Sequence, residues 1–228
     1  MRDTITDVFF DLDHTLWDFD KNSALTFTKI FLIHDIRVQL EDFLSYYEPI
    51  NMKYWKLYRE DKIDKPSLRF GRLYEAFDAL NYEVSEQMIH QLSTDYIAHL
   101  PSFNHLFEHT FDILEYLYEH YELHVITNGF EEVQYGKLSN SNIHQYFKTV
   151  TVSEMVGVKK PNPIIFNHAL DLANTSGARS VMIGDNFEAD ILGAQDAGME
   201  VIYFNGGAEV NTNGIPQIKS LIELKTYL

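Results

Sequence analysis

Four short runs of β-branched, aliphatic and aromatic residues stand out along the chain: Val8-Phe9-Phe10, Leu123-His124-Val125-Ile126, Ser180-Val181-Met182-Ile183 and Val201-Ile202-Tyr203-Phe204. Each is closed by polar or glycine residues, and a weaker fifth covers Thr149-Val150-Thr151-Val152. Runs of this length and composition predict strands. Between them the apolar spacing turns helical, as over Asn162 to Leu172, where Asn162 stands at the N-cap and Pro163 at the first helical position. Strand, loop and helix in alternation predict an α/β fold, a doubly wound parallel sheet.

The rhythm breaks once. About a hundred residues separate the first run from the second, where a strand–helix–strand unit needs roughly thirty. From Asn22 to Leu100 no strand pattern occurs, yet residues such as Ile30, Phe43, Tyr47, Tyr58, Phe77 and Tyr96 recur at helical spacing. Lys65-Pro66-Ser67 and Asn81 read as breaks between helices. The expected organisation is an α/β core over residues 1–16 and 105–228, with an all-helical cap domain over 17–104. A further helix is expected from about Asn104 to Glu119.

Ligands of open parallel sheets sit beyond the carboxyl ends of the strands, so the residues after each run carry the candidate chemistry. They are Asp11-Leu12-Asp13 after the first run, Thr127-Asn128-Gly129 after the second, Lys159-Lys160-Pro161 after the fifth, and Gly184-Asp185 through Asp190 after the third. Two like charges a few ångströms apart repel by about 4 kcal/mol at an effective dielectric near 20. Several carboxylates in one crevice therefore call for a divalent cation, and an all-oxygen donor set favours magnesium. Asp11 and Asp13, two apart at a strand end, point the same way while Leu12 turns to the core. One of the pair can attack and the other can move protons. Thr127 and Asn128 can donate to phosphoryl oxygens, Lys160 can neutralise another, Asp185 is assigned to the metal and Asp190 to a supporting role.

Composition narrows the partners. Acidic residues number 34 against 18 basic ones, a net charge of −16. Such a surface repels phosphate backbones and anionic lipid, which leaves a small phosphorylated metabolite recruited by a bound cation, rather than a nucleic acid polymer or a membrane. With no cysteine, disulfide frameworks, thiolate zinc sites and cysteine nucleophiles are excluded. No apolar stretch is long enough to span a bilayer, the first residues do not resemble a signal peptide, and a cytoplasmic location is expected.

Taken together, Asp11-Leu12-Asp13-His14-Thr15-Leu16, Thr127-Asn128-Gly129, Lys160-Pro161 and Gly184-Asp185 to Asp190 resemble the four ordered motifs of the haloacid dehalogenase-like hydrolase superfamily. The long insert after the first motif is similar to that superfamily's helical cap. The resemblance implies a magnesium-dependent phosphatase that works through an aspartyl-phosphate. Asp11 is then the nucleophile and Asp13 the general acid/base. Thr127 and Lys160 bind phosphate, and Asp11, the Asp13 backbone carbonyl and Asp185 hold Mg2+. The second aspartate of the first motif, Asp13, argues for phosphoryl chemistry over carbon–halogen cleavage. The stretches Phe10 to Trp17, Ile126 to Phe130 and Ser153 to Pro163, with Gly71-Arg72 in the cap, are similar to the pyrimidine 5′-nucleotidase branch, which implies a pyrimidine nucleoside 5′-monophosphate as substrate.

Other readings stand beside this one. A sugar-phosphate or other small-metabolite phosphatase, a phosphomutase, or a non-catalytic binding module would carry similar motifs. His105-Leu106-Phe107-Glu108-His109 fits the H-x-x-E-H pattern of a class of zinc peptidases, but its histidines fall on the polar stripe of the expected helix and no further ligand is identifiable. The aromatic residues of the cap read mainly as packing between helices. Arg69 and Arg72 are the candidate substrate-specificity residues there.

Overall fold

The computed structural model describes residues 4–207, 212 and 214–228. The chain forms two compact units, one of Met1–Phe19 with Asn104–Leu228 and one of Asp20–Phe103.

Among the described residues of the first unit six strands run parallel: β1 (Asp7–Phe10), β2 (Glu122–Thr127), β3 (Phe147–Val152), β4 (Ser180–Gly184), β5 (Glu200–Phe204) and the short β6 (Gln217–Ile218). Their order across the sheet is β3-β2-β1-β4-β5-β6. The chain thus winds outward from β1 in both directions, and the crevice at the reversal of strand order lies beside β1. β1 and β4 are buried along their whole length, which explains why they read as unbroken apolar runs rather than alternating ones. Phe9, Ile126 and Met182 pack with Ile165, Phe166 and Ile191 in the core.

Both halves of the second unit's sequence are helical: most of α1 (Phe19–Ile33), then α2 (Leu40–Arg59), α3 (Lys65–Ala79) and α4 (Glu86–His99). The side chain of Asp64 accepts from Ser67 N at 2.9 Å and caps α3, and Ser85 accepts from Met88 N at 3.2 Å and caps α4. Phe27, Phe31, Phe43, Tyr47, Phe77 and Tyr96 form the aromatic centre of this unit, with ring centroids as close as 4.6 Å.

Four further helices precede or join the remaining strands: α5 (Thr110–Tyr118), α6 (Glu131–Asn140), α7 (Ser153–Val156) and α8 (Pro163–Ala173). A six-residue π-helical turn (Phe187–Leu192) then runs into α9 (Gly193–Asp196). Asn162 caps α8 by accepting from Ile164 N at 3.0 Å, with Pro163 opening it. The helix expected from Asn104 starts only at Thr110. Leu106 bridges to Trp17, Phe107 N donates to Leu16 O at 3.0 Å, and His109 is left-handed with φ 66°. Pairing with the segment after β1 outcompetes the helical periodicity of these six residues, so His105 and His109 share no helix face.

A polar cluster lies inside the sheet as well. His124 is fully buried, stacks on Phe9 at 4.5 Å, and bonds Thr149 Oγ1 at 2.8 Å and Asp7 Oδ1 at 3.2 Å. Asp7 Oδ2 also accepts from Thr6 and Thr175 hydroxyls at 2.6 and 2.7 Å. Burial holds the His124 pKa below its ordinary 6.5, against the opposing pull of Asp7.

Candidate active site

Just beyond β1, Asp11 N donates to Ile183 O at 2.9 Å and extends the ladder to β4 by one step. Leu12 is buried, so Asp11 and Asp13 turn the other way, as the two-residue period requires. The backbone then reverses sharply: Leu16 N and Trp17 N both donate to Leu12 O, and His14 takes a left-handed conformation with φ 60°.

Lys160 is the cationic centre of the site. Its Nζ donates to Asp11 Oδ1 at 2.7 Å and to Ile126 O at 2.7 Å, and lies 2.6 Å from Asp190 Oδ1. Burial opposes its charge, but the Asp11 and Asp190 carboxylates outweigh that and keep the ammonium protonated above its ordinary 10.5. Asn128, expected to donate to a phosphoryl oxygen, here bonds the backbone of Lys160. Its Nδ2 donates to Lys160 O at 3.0 Å and its Oδ1 accepts from Lys160 N at 2.8 Å, so its side chain braces the lysine loop through both ends of its amide.

Asp185 and Asp190 follow β4. Asp190 Oδ2 accepts from Asn186 N at 3.0 Å. A Cβ on Gly184 would overlap the Asp190 side chain, so glycine there admits that carboxylate to the centre. Asp185 Oδ1 accepts from Thr15 Oγ1 at 3.3 Å. Carboxylate oxygens of Asp11, Asp185 and Asp190 all lie within 4.8 Å of one another. Burial first, then the charge of Asp190, pushes the Asp185 pKa up to about 8. Burial likewise pushes Asp11 well above 3.8, with Asp190 and Asp185 adding to the rise against the pull of Lys160. Three carboxylates thus face one ammonium through oxygen donors alone, a set that could hold a hard metal ion and whose mutual repulsion such an ion would relieve.

Asp13 stands apart from this cluster. Its Oδ1 accepts from Lys137 Nζ at 2.5 Å and its Oδ2 from Gln134 Nε2 at 3.1 Å. The same Gln134 Nε2 donates to Thr127 Oγ1 at 2.7 Å. Neither α6 residue belongs to a motif in the sequence. The signal that could have found them is their spacing: two polar residues three apart, between the apolar Val133 and Leu138, on a helix that follows a strand-end motif.

Within the helical unit, Arg69 is half-buried. Arg72 is only 2% exposed; its Nη1 donates to Asn51 Oδ1 at 2.9 Å, and its guanidinium lies over the rings of Tyr96 and Tyr47 at 5.0 and 5.9 Å. The Tyr54 ring occupies the space a Cβ at Gly71 would need. No helix among the described residues is long and apolar enough to cross a membrane.

Comparison with known proteins bears directly on this geometry. The family model described as haloacid dehalogenase-like hydrolase matches residues 8–204. Pyrimidine 5′-nucleotidase YjjG of Escherichia coli is 32% identical, with 97% of this chain and 96% of that protein covered. Pyrimidine 5′-nucleotidase PynA of Streptococcus pneumoniae is 32% identical over 87% of this chain and 83% of its own. Among solved structures, that of the HAD-hydrolase YfnB from Bacillus subtilis bound to magnesium superposes with a TM-score of 0.88 at 28% identity, covering 98% of each chain.

Proposed function

The chain belongs to the haloacid dehalogenase-like hydrolases, and from that membership we propose that it is a magnesium-dependent phosphoric monoester hydrolase acting on a pyrimidine nucleoside 5′-monophosphate. The observation that carries the chemistry is the meeting of Asp11 and Asp185, just beyond the adjacent strands β1 and β4, with Lys160 from the loop between α7 and α8. Likeness over nearly the whole chain to two proteins named pyrimidine 5′-nucleotidases supports the substrate class.

In this reading the free Oδ of Asp11 attacks phosphorus, the bond from phosphorus to the ester oxygen breaks, and Asp13 gives its proton to the departing alkoxide. Asp13 then takes a proton from water, whose oxygen attacks the aspartyl-phosphate and releases inorganic phosphate with Asp11 restored. Lys160 offsets charge on the transferred group, and the Thr127 hydroxyl donates to one of its oxygens. Asp11, the Asp13 backbone carbonyl and Asp185 would hold Mg2+, and the all-oxygen donors and surplus charge of the cluster suit that ion. When bound, Mg2+ supplies positive charge to a phosphoryl oxygen in an otherwise acidic protein.

The test is a phosphate-release panel over nucleoside 5′-monophosphates and sugar phosphates, run with Asp11→Asn and with a chelator. Hydrolysis strongest with a pyrimidine nucleotide, lost in the variant, lost in chelator and restored by magnesium is expected. Full turnover by Asp11→Asn or in chelator would overturn the mechanism, and preference for sugar phosphates would overturn the substrate.

A further inference from the structure

Gln134 is fully buried and Lys137 is 2% exposed, an unusual position for a lysine side chain without a function. They lie three apart on one face of α6 and both reach Asp13, one to each carboxylate oxygen. The Lys137 ammonium also sits over Trp17 at 4.4 Å and Phe19 at 5.4 Å, so the pair is enclosed by aromatic faces rather than left to solvent. A carboxylate held at both oxygens by two buried donors has one orientation.

Gln134 extends the same control to Thr127. The Thr127 oxygen accepts from Gln134 Nε2 at 2.7 Å and from Gly129 N at 3.1 Å. A hydroxyl has two lone pairs and one hydrogen, so with both lone pairs occupied only donation remains. The Gln134 amide reaches this position because residue 129 is glycine; a Cβ there would overlap it.

We propose that Gln134 and Lys137 are positioning residues which together fix the Asp13 carboxylate and turn the Thr127 hydroxyl into an obligate donor. One helix face would then govern both proton delivery to the leaving group and one hydrogen bond to the transferred phosphoryl group. This rests on the phosphatase reading, and the experiment separates the two.

General acid catalysis matters most when the leaving group is a strongly basic alkoxide and least when it is a stable phenolate. The parent and Lys137→Met are compared on the alkyl phosphomonoester the parent turns over fastest and on 4-nitrophenyl phosphate, with magnesium present and folding checked by circular dichroism. In Lys137→Met, kcat/KM is expected to fall about a hundredfold for the alkyl ester and less than about tenfold for the aryl ester. Lys137→Arg should recover most of the alkyl activity. Gln134→Leu should lose activity on both esters, the alkyl one more, and this variant carries the test should Lys137→Met fail to fold. Equal losses for the two leaving groups, or no loss, in an active protein would overturn the positioning role. A parent inactive on every phosphomonoester would instead overturn the phosphatase reading.

Discussion

Asp185→Asn should stabilise the metal-free protein while abolishing its use of magnesium. Asp185 is close to Asp11 and Asp190, its Oδ1 accepts from Thr15 at 3.3 Å, and its pKa is held at about 8 instead of 3.8. The folded state therefore retains a proton on this group that the unfolded state gives up. Stability contributed by the neutral acid is complete below pH 3.8 and drains away as pH rises to about 8. The difference 8 − 3.8 = 4.2, at about 1.36 kcal/mol per tenfold, sets an upper bound of roughly 6 kcal/mol. The side chain is partly open to water, whose screening reduces this to about 1–3 kcal/mol. Asparagine keeps the shape and removes the charge. Urea unfolding in chelator at pH 5, 7 and 8.5 should show the variant gaining over the parent as pH rises, with the smallest gain at pH 5. Added magnesium should raise the parent's midpoint at pH 8.5 and leave the variant's unmoved. A variant less stable than the parent at pH 8.5, or a pH-independent difference, would refute the account of charge crowding.

Lys160→Met removes the ammonium that pairs Asp11 and Asp190 and should cost about 3–5 kcal/mol of stability at pH 8 without metal, less at pH 5; a urea midpoint that does not move would contradict it. Gly129→Ala should displace the buried Gln134 amide from Asp13 and Thr127, so stability should fall by about 1–3 kcal/mol and kcat/KM by about tenfold or more; unaltered kinetics would break the link between these residues. His124 is held neutral by burial, so the unfolded state binds the extra proton and stability should be lost as pH falls below 6.5; an NMR titration of its ring placing the pKa at or above 6.5 would show otherwise.

Much of the core was legible because a parallel strand covered on both faces must be apolar throughout, and Val8-Phe9-Phe10 and Val181-Met182-Ile183 are. β6 escaped notice because two residues, Gln217 and Ile218, carry no periodicity. Residues 104–109 look helical from their own spacing, and only the pairing with Leu16 and Trp17, far earlier in the chain, decides against it. The same holds at the site. Strand-end carboxylates and Lys160 announce themselves by position, whereas the commitment of Asn128 to the Lys160 backbone and the reach of Gln134 and Lys137 to Asp13 are facts of tertiary distance. A polar residue on a helix looks the same whether it faces water or a buried carboxylate.

The central place of β1 in the sheet bears on how the protein comes into being. This strand precedes both of its neighbours in the chain, which begin at Glu122 and Ser180. A nascent chain therefore carries an unpaired hydrophobic ribbon until about 110 further residues have followed it, and the ribbon's second edge waits longer still. The Asp11–Lys160 pair and the Thr15–Asp185 bond, 149 and 170 residues apart, can close only after that. Catalytic competence would then wait on segments made long after the strand that carries Asp11.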